Sequence, residues 1–415
     1  MGYRTGTADL PLHGGRVPAW LSERMAKLGR VLVEAIVLHY GRKEFLRRLS
    51  HPFWFQSLGC VMGMDWHSSG ITTSVVGALK RGLAPVENEL GIHVCGGRGK
   101  HSRRTPSELQ ELGNRLGLEV ATHIRASRLV AKVDSAAVQD GFQIYLHSFV
   151  VTDDGDWTVV QQGMNEEARQ ARRYHWLSEG LRSSVDEPHS AIEGRPGPQI
   201  VNLTAHRAGP SRDAQLALAL EGPERVLKEL ARIQADHEQL PLPHLQMPAH
   251  HEITAKDLVL RRLHGALAAA RERGPKDFAE LLLTPGLGAR TVLALAMVAE
   301  ILHGAPCRFN DPARFSIAHG GKDGHPFPVP LRVYDQTLQV MREAVNQAKL
   351  GREEKLAAIR RLDQEARRLE QTIGGPSWEK FENLEHARSA EYGGMTVHGP
   401  APSPTRIRVH GKATG

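Results

Sequence analysis

The 415-residue sequence predicts an α+β fold, on three observations. Residues 142–163 read FQIYLHSFVV, TDDGDW, TVVQQG: two runs of strand-forming residues around an Asp-Gly turn, the pattern of a β-hairpin. Other segments repeat apolar residues every three or four positions, as helices do. A loop-rich stretch at 186–214 separates a mixed first half from a second half with helical patterning. The expected organisation is a mixed domain over 1–200 holding the hairpin and a chemical site, then a helical domain over 201–334. A long amphipathic helix over 335–375 follows. A tail over 376–415, dominated by Gly, Pro, Ser and charge, is expected to be disordered.

Each element has its own reason. Trp20 to Leu38 has helical apolar spacing, and RKEFLRRLS continues it as a second helix. Residues 71–83 predict a third. TPSELQELGNRLG predicts a fourth, with Thr105 as cap, Pro106 in the first turn and Glu108 three residues after Thr105, a capping-box spacing. After the hairpin, Arg172, Arg173 and His175 are expected on a helix. RDAQLALALEGPERVLKELARIQADHEQL is helical, PLPHLQMPAHHEI is a proline- and histidine-rich linker, and helical patterning resumes from Thr254 to Gly304. In 335–373, Leu356, Ile359, Leu362, Ala366, Leu369 and Ile373 step by three and four. That stripe fits either the body of the protein or a second copy in a homo-oligomer.

Composition narrows the function classes. The charged fraction is 24%, the hydrophobic fraction 40% and the net charge +7, with a pI near 9.4. This balance favours a polyanionic partner such as nucleic acid. Cys60, Cys95 and Cys307 are far apart, which argues against a thiolate zinc site or a disulfide framework. No apolar run reaches the roughly 18–20 residues of a membrane helix, no signal peptide is visible, and a cytoplasmic location is expected.

The chemistry lies in two regions. TPGLGARTVLALAMVAEIL (284–302) is an apolar helix opening on Pro285, Gly286, Leu287 and Gly288. Preceded by KDFAELLL, it makes two helices joined by a Gly-x-Gly turn over 276–303. Bare amides at Gly288, Ala289 and Arg290 would sit at the positive end of the helix dipole and suit a phosphate. Arg290 and Thr291 would add side-chain contacts, and such binding ignores base sequence. A glycine turn between two core helices is the plainer reading. A Walker phosphate loop is excluded, because no Gly-Lys-Ser/Thr follows at the required spacing. LTPGLG resembles the helix-hairpin-helix of DNA repair proteins, whose hairpin reads Leu-Pro-Gly-Val/Ile-Gly. In the glycosylases of that superfamily a catalytic Asp follows by about twenty residues, which would map onto Asp311. Arg290 stands where a bifunctional glycosylase would carry its Lys, and Asp-Pro is also a common helix start.

The second region joins GMDWHSSGITTS, GIHVCGGRGKHSRRTP, LVAKVDSAAVQDGFQIYLHSF and VVQQGMNEEARQARRYHWLS. Asp134 and Asp140, with Asp65 and His67, are candidate ligands for Mg²⁺ or Mn²⁺, which take hard oxygen donors. Lys132, His147, Gln162 and His175 could orient water or stabilise developing charge. Arg98 and Lys100 in GGRGKHSRR, with Arg172 and Arg173, would contact phosphates. The order Lys-x-Asp departs from the Asp and Glu-x-Lys order of restriction-type nucleases. For any one of these residues, a turn, a surface pair or a packed core histidine is an equally simple reading.

HPFWFQSLGCVMGMDWHSSG, AKVDSAAVQDGFQIY, VVQQGMN, ARRYHWLS, TPGLGARTVLALA and DPARFSIAHGGKDGHPFPV together resemble the prokaryotic domain-of-unknown-function 763 family. The resemblance spans LPLHGGRVPAWL to HGGKDGHPFPV and implies no activity. From the residues, a DNA-binding, metal-dependent nuclease in DNA processing or repair is expected. The alternatives are a non-catalytic DNA-binding or scaffold protein and a glycosylase acting through Asp311.

Overall fold

A computed structural model describes residues 10–11, 19–63, 69–117, 119–194, 197–236, 260–313, 339–346, 354, 357–361, 387, 395–396 and 399–400. Met1–Gly374 form one compact unit and Gly375–Gly415 another. The expected division near residue 200 thus falls inside a single unit. In the second unit, Met395–Thr396 pairs antiparallel with Gly399–Pro400; apart from residue 387, the rest of the tail lies outside the described residues.

The strands of the first unit are β1 (Leu10–Pro11), β2 (Ile92–Arg98), β3 (Val138–Gln139), β4 (Gln143–Thr152), β5 (Trp157–Asn165), β6 (Gln170–Leu177), β7 (Ala191–Glu193), β8 (Ile200–Asn202) and β9 (Arg308–Phe309). The larger sheet is ordered β1-β6-β5-β4-β2, with β7 also paired to β6, and the smaller is β3-β8-β9. All the pairings are antiparallel. β4 and β5 are the hairpin read from the sequence, with Val151 opposite Trp157 beside the Asp-Gly turn.

The helices are α1 (Ala19–Leu49), α2 (Pro52–Val61), α3 (Gly70–Leu83), α4 (Glu87–Leu90), α5 (Thr105–Leu116), α6 (Ala121–Lys132), α7 (Gly209–Glu221), α8 (Pro223–Asp236), α9 (Leu260–Arg273), α10 (Phe278–Leu282) and α11 (Ala289–His303). The two N-terminal helices read from the sequence meet at Gly41, whose φ of 84° breaks the helical path of α1. Gly82 of α3 lets that helix lie on the Ala26 carbonyl of α1, where any Cβ would collide.

Side chains alternate across the sheet, so each face feeds its own core. Ile92, Leu146, Val150 and Val160 pack with α1, α2 and α3. Cys95, Phe149, Val151, Trp157, Val159, Tyr174 and Trp176 pack in the other core with α5 and α6 and with the C-terminal helices. Burying one large apolar side chain stabilises by about 1.5–3 kcal/mol, so both faces must stay covered. Residues 339–346 are helical; Met341, Ala344 and Val345 are buried in the first of these cores, with Ala358. Ile359 of the predicted stripe packs there too, so the described part of this segment lies on the body of its own chain. Leu356, Leu362, Ala366, Leu369 and Ile373 lie outside the described residues.

Two sequence expectations are corrected here. Arg172, Arg173 and His175 are on strand β6, between β5 on one side and β7 on the other. The α5 capping box does not form. Glu108 instead accepts from the Gly96 amide at 2.8 Å and from Lys80 Nζ at 2.6 Å, and Thr105 Oγ1 donates to the Ser102 carbonyl. A tertiary partner on β2 outcompetes the local amide because it satisfies a buried strand donor and an ammonium together.

Candidate nucleic-acid interface

α10 starts at Asp277, whose carboxylate accepts from the Glu280 amide at 2.7 Å, while Glu280 accepts from the Lys276 amide at 3.0 Å. It ends after one turn, and Pro285 cannot continue it. Gly286 has φ 80°, the left-handed region that glycine enters without penalty. Leu287 folds inward and is fully buried, its amide donating to the Thr284 carbonyl. α11 then runs into the core, with Leu293, Ala294, Leu295, Ala296, Val298 and Ala299 buried. Its start reaches the surface: Pro285, Gly286, Ala289 and Arg290 are exposed, and Thr291 is buried.

Gly288 differs from Gly286. It precedes α11 with φ −132° and ψ −176°, an extended conformation open to any residue, and an added Cβ would meet nothing within 4 Å. Neither conformation nor internal packing requires glycine there. It also offers no side-chain acceptor to the first-turn amides of α11. Behind the turn, Lys132 at the end of α6 donates its ammonium to the Leu287 carbonyl, and Gln139 Nε2 donates to the Ala289 carbonyl at 3.0 Å. Burial lowers the Lys132 pKa. Lys132 therefore braces the turn and is not placed among the sequence-predicted carboxylates.

Past Lys132 the chain takes a π-turn, Val133–Ala137, which carries Asp134 into the protein. There its carboxylate accepts from Gln161 Nε2, from Trp176 Nε1 at 2.9 Å and from His189 Nε2 at 2.5 Å. Gln161 passes the network to His147 Nδ1 at 2.6 Å, and His147 Nε2 lies 2.9 Å from Ser127 Oγ. Burial holds His147 below the usual imidazole range. Asp140 belongs to a neighbouring network, accepting from the Phe142 amide at 3.1 Å, Tyr174 Oη at 2.6 Å and Arg172 Nη1 at 2.8 Å. Arg172 also grips both oxygens of Asp311, at 2.9 and 2.8 Å, and lies over the Phe142 ring at 4.6 Å. Asp311 accepts further from the Gly197 and Ala313 amides at 2.7 and 2.9 Å.

On the opposite face, Gln162 bonds Thr72, Tyr145 and the Ser69 carbonyl. Arg173 donates to Glu193 and to Thr72 and lies 4.4 Å over the Phe55 ring. His175 sits 3.0 Å from Arg173 Nε, its pKa pushed well down by burial and by that guanidinium.

These contacts do not fit the predicted metal centre. Asp134 and Asp140 each accept three hydrogen bonds from protein donors, in separate networks, so neither presents an open carboxylate to a shared cation. Among the described residues, no three His, Cys, Asp or Glu side chains are grouped to hold a metal ion. Asp65 and His67 lie outside the described residues. Arg172 and Arg173 are 1% and 0% exposed, so they cannot meet a phosphate from solvent. The Asp311 side chain is 2% exposed and holds Arg172. Of the predicted phosphate contacts, Arg98 and Lys100 are exposed.

Sequence reasoning missed Glu193, His189, Tyr174, Gln161 and Ser127, the partners that saturate the predicted residues. Gln161 was visible on the hairpin strand; the β6 residue opposite it and the long-range partners were not.

This is an α+β protein with a buried polar sheet and a glycine-opened, exposed helix–turn–helix corner. The profile of the family described as "Protein of unknown function (DUF763)" matches residues 6–329, and the chain belongs to that family. No curated protein and no solved structure matches the chain. Among the described residues, no helix is long and apolar enough to cross a membrane.

Proposed function

We propose that the chain is a nucleic-acid-binding protein that grips the sugar-phosphate backbone of DNA through the α10–α11 turn, without reading base sequence. The observation that carries the reading is Gly288. Its missing side chain serves no need of the fold, yet it leaves the start of an apolar, buried helix uncovered at the surface. Helix N-terminal amides attract phosphate oxygens, exposed Arg290 adds charge, and the net charge of +7 suits a polyanion. Resemblance of LTPGLG to the hairpins of DNA repair proteins supports it further. A binding or scaffold role is favoured over cleavage, because the carboxylates assigned to metal chemistry are occupied by protein donors.

Gly288→Asp tests the reading. Asp is a strong N-cap residue, and its carboxylate would occupy the site meant for phosphate. The full-length variant is expected to melt no lower than the parent, yet to bind a labelled 30-base-pair duplex about tenfold more weakly at fixed salt. Unchanged affinity, or no binding by the parent protein, refutes the reading. Mg²⁺- or Mn²⁺-dependent cutting of the same duplex would replace it with the nuclease.

A further inference from the structure

The surface beside the turn is the strongest unassigned feature. An open groove of about 660 Å³ lies between α5 and α6. Its size falls within the roughly 300–1,000 Å³ of small-ligand sites, but its lining is wrong for one. Arg103 and Arg128 line it together with the polar Ser107 and Gln110, and among the described residues Glu111 is its one carboxylate. Lys100, Arg103, Arg104 and Arg128 are exposed, and among the described residues none of them has an ion-pair partner. Cations left unpaired on both lips of an open cleft fit a polyanion better than a compact ligand.

The groove and the turn share a helix. Arg125, Arg128 and Lys132 are spaced i, i+3, i+7 on α6 and form one stripe. At 1.5 Å rise per residue, Arg128 stands about 6 Å along the axis from Lys132, roughly two base-pair rises of a duplex. Lys132 is bonded to the Leu287 carbonyl in the turn, and Arg125 lies 3.8 Å from Glu280 of α10. Basic side chains therefore run from Arg103, across the groove to Arg128, and along α6 to Lys132 behind the turn, with Arg125 paired to Glu280. Among the described residues no aromatic side chain lines the groove, and none stands in the turn, where residues 283–291 read LTPGLGART. Single-strand sites depend on such rings for base stacking.

We propose that the α5–α6 groove and the α10–α11 turn are two ends of one binding surface for double-stranded DNA, with Arg103 and Arg128 neutralising phosphates beyond those held at the turn. This rests on the reading that the turn binds a nucleic-acid backbone, and it adds the second contact region and the duplex as its form.

The test measures affinity against salt concentration for the full-length protein, an Arg103→Gln/Arg128→Gln variant and the Gly288→Asp variant, on one 30-base-pair duplex and its separated strand. Each neutralised phosphate contributes about 0.9 to the slope of log affinity against log salt. The groove variant is expected to melt like the parent, since both side chains are exposed. It should lose about two from the duplex slope and bind at least tenfold more weakly near physiological salt. Gly288→Asp should weaken binding independently, and the parent should prefer duplex to single strand. If the groove variant matches the parent while Gly288→Asp is weakened, the joined surface is wrong and the turn stands alone. A defect in the groove variant only would refute the turn's role and, with it, the joined surface. Preference for the single strand would overturn the duplex assignment.

Discussion

Replacing Arg172 by Ala is expected to cost about 3–5 kcal/mol of stability, the penalty for stripping one partner from a buried ion pair. Domains are typically stable by only about 5–15 kcal/mol, so the variant should unfold at markedly lower urea or not accumulate. Arg172 is held by Asp140 at 2.8 Å and by both oxygens of Asp311, and all three side chains are at most 2% exposed. Burial opposes its charge, but the two carboxylates more than compensate and raise its pKa. Remove the guanidinium and two carboxylates lie together in a dry interior. Adding Asp140→Asn and Asp311→Asn to Arg172→Ala should therefore recover part of the loss, because the stranded charges are gone. Arg172→Lys should fall between, since an ammonium cannot match the bidentate grip. A urea midpoint for Arg172→Ala shifted by the equivalent of less than about 1 kcal/mol would show that the triad does not hold the fold.

Stability is also expected to fall as pH drops from 7 to 5, with about 2 kcal/mol of the fall coming from His51. His51, His147 and His175 are all held below the ordinary imidazole range: His51 at about 4 by burial and then Arg48, His147 by burial, and His175 by burial and then Arg173. His51 Nδ1 is sealed from solvent with no partner among the described residues. Such groups are neutral in the fold and free to protonate in the unfolded chain. Their contribution is whole above about pH 6.5 and is lost as pH falls toward the folded value, at about 1.4 kcal/mol per unit for each group. For His51 that window runs from 6.5 to about 4, so His51 alone supplies the 2 kcal/mol by pH 5. Asp140 and Glu193 act with the opposite sign, because burial raises both and their terms improve as pH falls through the folded values. They soften the loss. Urea midpoints measured every half unit would test this. A flat or rising profile between pH 7 and 5 would mean the histidines are not held neutral, and His51→Gln should flatten a falling one.

How much of this was legible depends on whether partners were near in sequence. The β4–β5 hairpin was readable because its turn and its strand-forming residues are contiguous. α3 and α11 were readable from apolar spacing. β6 was misread because RRYHW mixes buried Arg172, Arg173 and His175 with the core residues Tyr174 and Trp176, which blurs the alternation, and the partners of the polar residues stand far away. Arg173 finds Glu193 twenty residues on, and Arg172 finds Asp311 at a separation of 139. The same blindness produced the metal centre. Asp134 and Asp140, six residues apart, invite a shared cation, but the π-turn and β3 send them to different donors. Those donors, His189, Trp176 and Tyr174, are 34 to 55 residues from their carboxylates. Glycines at 286 and 288 were visible, but only backbone angles separate the one the turn demands from the one it does not.

The small sheet sets a timetable for synthesis. β3 and β8 are complete by residue 202, but β9 and Asp311 lie more than a hundred residues later. At about 5–20 residues per second, the 139 residues between Arg172 and Asp311 take roughly 7–28 s to make. Throughout that interval Arg172 lacks its second acid, and once β8 is made its edge stays unpaired until β9 follows, so the nascent first half waits on the ribosome with a sticky seam. The hardest closure of the first unit therefore comes late in translation, the stage at which chaperone dependence and aggregation should be sought.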